Sequence, residues 1–205
     1  MKRKADSGLS EVVSTVMILG IIILAITMAA LIILPIMGDN EERVHNGDVL
    51  IEFASMKADV DTAWISNNTG VTRQAVFTLS PIGDRTEVTV IPNFFSVLSF
   101  GTVGLEYDTS FPYGDYSKVN ITYTASNMYA DDIEIVYSGG ALLQDGTEVL
   151  PGSTNDTAKY IVVVDKSVVK KQSIGGTGIV TLEYRLDKIV QDGTNYLCVY
   201  YMGIR

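Results

Sequence analysis

Residues 12 to 38 carry no charged side chain, and this run of twenty-seven constrains the chain more than any other feature. As a helix rising about 1.5 Å per residue it extends about 40 Å, more than the roughly 30 Å of a bilayer's hydrocarbon core. Met1-Lys2-Arg3-Lys4 before it is short and basic, and the chain after Asp39 is mostly polar and acidic. Basic flanks stay in the cytoplasm, which predicts a single-pass protein with its C-terminal part outside the cell. An ordinary secretory signal does not fit. Its apolar core is about 7 to 15 residues long and ends at a small-x-small site, whereas Pro35-Ile36-Met37-Gly38-Asp39-Asn40 contains no such site. Glu11 stands at the edge of the apolar run, where an ionised group is costly unless it has a role.

The stretch from Ser7 to Gly20, Ser-Gly-Leu-Ser-Glu-Val-Val-Ser-Thr-Val-Met-Ile-Leu-Gly, resembles the amino termini of archaeal type IV pilin-like proteins. The resemblance implies a basic leader, residues 1–8, that a prepilin-type peptidase removes between Gly8 and Leu9 on the cytoplasmic side. It also implies that Glu11, as the third mature residue, neutralises the terminal amine of a neighbouring subunit during assembly. Two departures stand out: the bacterial pattern places this glutamate at the fifth mature position, here Val13, and Asp6 sits where archaeal leaders more often keep a basic residue. A fainter echo of uncharacterised archaeal membrane-anchored surface proteins runs through Phe53-Ala54-Ser55-Met56, Ala75 to Leu79, Gly101 to Tyr107 and Ile135 to Leu142.

Physical chemistry supports assembly independently of that resemblance. A helix buried in lipid exchanges it for copies of itself without meeting water. Gly20, Ala25 and Ala29, with Ala30 beside them, are small residues that permit close helix approach. Pro35 is expected to kink or end the membrane helix, residues 9–38, and Gly38-Asp39-Asn40 to form a joint. Residues 39–66 then read as a second, amphipathic helix, with Leu50, Phe53, Ala54, Ala58 and Trp64 recurring on one face.

From residue 67 to 205 the period shortens to that of strands. Candidates are Gln74–Leu79, Glu87–Ile91, Val103–Tyr107, Val119–Tyr123, Ile133–Tyr137, Tyr160–Val164, Ile179–Leu186 and Tyr196–Tyr201. Turn signals such as Pro81-Ile82-Gly83-Asp84, Asp145-Gly146 and Asp192-Gly193 separate them. The fold class is therefore α+β: a long hydrophobic helix leading into an amphipathic one, then an antiparallel β-sandwich-like domain or a strongly curled sheet.

The chemistry of this domain points away from catalysis. The sequence has no phosphate loop, no His-Glu-x-x-His, no Cys-x-x-Cys and no nucleophile elbow. His45 and Cys198 are each the only residue of their type and read as structural. The acidic pairs Asp131-Asp132 and Asp59/Asp61 lack the spacing of a cation loop and read as solvated surface, so neither a metal nor a cofactor is expected. Asn67-Asn68-Thr69, Asn120-Ile121-Thr122 and Asn155-Asp156-Thr157 match the N-glycosylation acceptor pattern. A net charge of −9 argues against nucleic acid as a partner.

Two functions of different class follow. One is a structural or minor subunit of a pilus-like surface filament, assembled through Leu9 to Met37, with lipid, other subunits and the peptidase as partners. The other is an uncleaved single-pass anchor whose β domain binds a surface-layer protein or a glycan.

Overall fold

The computed structural model describes residues 3–81, 99–108, 110, 114–152, 154–155, 158–168, 170–193 and 195–205, leaving aside the side chains of 3–10, 34, 154–155 and 158–159. Helix α1 runs without interruption from Arg3 to Ile65, 63 residues, which is about 95 Å. Pro35 lies inside it and Gly38, Asp39 and Asn40 are helical, so the helix does not end there and the expected joint does not form. A proline within a helix costs about 3 kcal/mol. Contacts of α1 with the β domain begin just beyond it, at Gly38 and Glu42.

The two halves of α1 have different surroundings. Every described residue from Glu11 to Ala29 is exposed, although nearly all are apolar. Within the helix lies an 18-residue window with a mean hydropathy of 3.1, none of it buried, long and apolar enough to cross a membrane. Past Asn40 one face becomes buried at spacings of three and four, through Val49, Phe53, Met56, Val60 and Ala63. This stripe is rotated from the expected one. Phe53 is common to both, Leu50, Ala54 and Trp64 are half-buried, and Ala58 is exposed.

The remaining elements form one sheet. In chain order they are β1 (Thr72–Thr78), β2 (Phe100–Asp108), β3 (Tyr116–Ser126), β4 (Ile133–Ser138), β5 (Ala141–Gln144), β6 (Thr147–Leu150), β7 (Thr154–Asn155), β8 (Ala158–Asp165), β9 (Gln172–Gly176), β10 (Ile179–Asp192) and β11 (Asn195–Ile204). The main path is β1-β10-β11-β8-β3-β4-β5-β6, with β2 joining β3 to β9 and β7 beside β8. Of the described pairings only β8 with β11 is parallel. Seven of the eight expected strands appear, and Glu87–Ile91 falls outside the described residues. Strands β5, β6, β7 and β9 were not expected.

The described strands form one curled, half-barrel-like sheet, the second of the two expected forms, and no second packed sheet is present among the described residues. The physical reason is the helix. The strands that face the core bury alternate residues, as in the pattern of β3, where Val119, Ile121, Tyr123 and Ala125 point inward. The apolar stripe of α1 supplies the opposing surface, and helix and strands share one core. At its centre the rings of Phe53 and Phe77 lie 4.6 Å apart.

Candidate functional site

The best-built polar site lies where the bare part of α1 meets the β domain. Glu42 follows Gly38 by about one helical turn, roughly 6 Å along the axis, and its side chain is buried. One carboxylate oxygen accepts the Met128 N–H at 2.9 Å, and the other accepts Tyr129 N–H at 2.8 Å and Ala130 N–H at 2.7 Å. The Ser99 hydroxyl donates to the first oxygen as well. Three successive amides form an anion nest, and the protein fills it with its own carboxylate. Burial alone pushes the Glu42 carboxyl up. The Ser99 hydroxyl and the Ala130, Met128 and Tyr129 amides outweigh it, leaving the group below its ordinary value of 4.5.

The same loop covers Gly38. A Cβ built there falls 2.2 to 3.0 Å from atoms of the Tyr129 ring, so only glycine lets the ring lie on the helix backbone. The loop is braced from within: Asp132 accepts the Asn127 N–H at 2.7 Å, and Asn127 Nδ2 donates to the Asp131 carbonyl at 2.7 Å. Asp131-Asp132 is thus partly a loop brace. Gly38→Ala is expected to cost about 1 kcal/mol, overpacking exceeding the gain in helix propensity. In a Tyr129→Ala background the same change should stabilise by up to about 1 kcal/mol. Thermal unfolding of the four proteins checks this, and strictly additive shifts would rule the contact out.

Further along, the polar residues of α1 hold sheet tyrosines. Tyr123 Oη lies 3.3 Å from His45 Nε2, and Tyr184 donates to Asp59 at 3.1 Å. Tyr160 donates to Asp61, which Lys57 Nζ also contacts at 2.7 Å, with Lys57 itself buried. Asp61 is therefore a partner to a buried phenol and not plain solvated surface, whereas the Asp59 side chain stays half exposed while it serves Tyr184.

The residues singled out in the sequence are dispersed. Gly8 and Leu9 lie within the first turns of α1. Glu11, Ala25 and Ala29 are exposed and, at about 100° per residue, fall on one helix face. Gly20 lies on the opposite face, with open space around it. Asn67 is exposed just past the helix at a positive φ of 48°. Asn120 is half-buried in β3, accepting a hydrogen bond from Ser138 at 2.7 Å, and Asn155 lies in the short β7. Cys198 is buried, its thiol pushed up to about 12 by burial. Among the described residues no group of three or more His, Cys, Asp or Glu is placed to hold a metal ion.

Sequence reasoning placed Gly38 in a joint and did not connect it with Glu42, Ser99 or Tyr129. The available signal was a carboxylate one turn beyond an apolar run, which by itself looks like ordinary interfacial polarity. No known protein family matches the chain, and neither a curated protein nor a solved structure is significantly similar to it.

Proposed function

We propose that the protein is a membrane-anchored, pilin-like surface subunit that assembles through the N-terminal half of α1 and displays its β domain outside the cell. The observation that carries this reading is the division of one continuous helix. Its first part is apolar and bare on every side, while its last part is the inner wall of the β domain. Such a helix is a rigid rod common to anchor, assembly element and domain core. Packing between rods then sets the position of the domains. Glu11 on the same face as Ala25 and Ala29 supports the reading further, since close helix approach and amine neutralisation need neighbouring surface.

An uncleaved anchor displaying the same domain is the second reading. It is favoured by the helical conformation of the Gly8-Leu9 bond, because α1 begins at Arg3. Cleavage there requires the first turns to open, which is inexpensive near a helix end.

The test is the N-terminus of the protein from native membranes, read by intact mass and terminal peptide mass spectrometry. A chain beginning at Leu9 is the expected result and directs the next step to filament purification. A chain that keeps residues 2–8 removes the processed-subunit reading and leaves the anchored module.

A further inference from the structure

Where β11 leaves β8, the sheet opens. The parallel ladder ends at Val199↔Val163, while the last residues of β8 continue beside β3 through Ser117↔Val164 and Tyr116↔Asp165. Further along β11, the Ile204 amide is held by the Gln172 side chain at 2.8 Å, not by a strand. Between these points lies a groove of about 310 Å³, bordered by Tyr107, Tyr201, Asp165, Asp187, Lys188 and Met202. Its size is at the lower end of small-ligand sites, about 300 to 1,000 Å³.

The main chain of Met202 faces this opening. Thr181 and Arg205 exchange both backbone hydrogen bonds, at 3.0 and 2.9 Å. Alternation along the antiparallel pair then turns the N–H and C=O of Met202 away from β10, toward the groove. Its side chain is buried in the core, so the backbone is what it offers there.

The remaining chemistry narrows the ligand. The nearby charges balance, two carboxylates against Lys188 and Arg185. Arg185 binds Asp187 at 2.7 Å, Asp165 accepts Ser167 Oγ at 2.7 Å, and Lys188 Nζ sits 5.4 Å from the Tyr116 ring centre. A charged ligand therefore finds no excess of opposite charge. Tyr107 is half-buried against the core, and Tyr201 is 42% exposed with the Arg185 guanidinium 5.5 Å from its ring centre on one face, so the uncovered parts of both rings are the aromatic surface beside the polar rim groups. An added peptide strand needs a run of free edge, and here the edge is closed by β8 on one side and by Gln172 on the other.

We infer that this groove binds a neutral saccharide. The C–H faces of a pyranose pack on the tyrosine rings, and its hydroxyls bond to the Met202 main chain and the rim carboxylates. The inference goes beyond the assembly reading and does not depend on processing at Gly8, because the groove belongs entirely to the β domain.

The test uses the full-length chain in detergent micelles, as wild type and Tyr201→Ala, with Ile51→Ala as a control on α1. Each is titrated by calorimetry with neutral gluco- and manno-hexaoses, a sulfated hexaose and a hexapeptide of alternating Val and Thr. A neutral hexaose is expected to bind the wild type and the control alike, and Tyr201→Ala to weaken it by about tenfold. The two variants should keep the wild-type unfolding midpoint. Neutral sugars that fail to bind, or that bind Tyr201→Ala equally well, overturn the inference. Binding of only the sulfated sugar or the peptide does the same.

Discussion

Glu42→Ala should lower the stability of the protein by about 3 kcal/mol, since it strips the acceptor from three backbone amides and a hydroxyl that a charged group had satisfied. For a domain of this size that is roughly 6 to 12 °C in Tm. The effect has a pH signature. Because the folded-state carboxyl is held below its ordinary value of 4.5, its contribution is complete above that value. It fades as the pH falls through the lower, folded-state value. The gap between wild type and Glu42→Ala should therefore be widest near neutral pH and shrink in acid. Thermal unfolding in micelles at a series of pH values measures it. A gap that stays constant down to pH 3 would mean that the carboxylate charge is not what holds the loop. Loss of the latch should also expose the 127–132 loop to proteolysis before the rest of the sheet.

Phe53→Ala should cost about 3 to 5 kcal/mol, the loss of a fully buried ring together with the cavity it leaves. The partner ring of Phe77, 4.6 Å away, loses its contact too. The matched control is Ile51→Ala, two residues away and 67% exposed, which should shift stability by no more than about 0.5 kcal/mol. Both variants keep the anchor intact, so unfolding by urea in micelles isolates the helix–sheet interface. Similar losses in the two would mean that α1 does not present the Val49–Phe53–Val60 stripe to the sheet. Because the helix replaces a second sheet, a damaged interface should loosen the whole domain and not only α1.

The second half of α1 separates what periodicity reveals from what packing decides. Phe53, Leu50, Ala54 and Trp64 are visible in the sequence as an apolar repeat, and all four touch the core. The centre of the buried face is set by what the sheet presents, so Met56 and Val60 are deeper than Leu50. Strands with inward alternation, such as β3 and β10, are legible for the same reason. Strand β6 is exposed at three of its four positions and β9 is mostly exposed and Gly-terminated, so neither carries an alternating signal. They are strands because β5 and β2 offer them backbone partners.

The sequence by itself determines the elements whose cause is local. An uncharged run of this length makes a membrane-competent helix whatever follows it, and alternation makes half-buried strands. Tertiary structure alone decides that the helix continues through Pro35, that one curled sheet closes on it, and that Glu42 holds amides 86 to 88 residues away. A buried carboxylate needs donors, and sequence shows the need without showing which loop meets it. Only folding brings Met128, Tyr129 and Ala130 to the point where the helix leaves its apolar stretch.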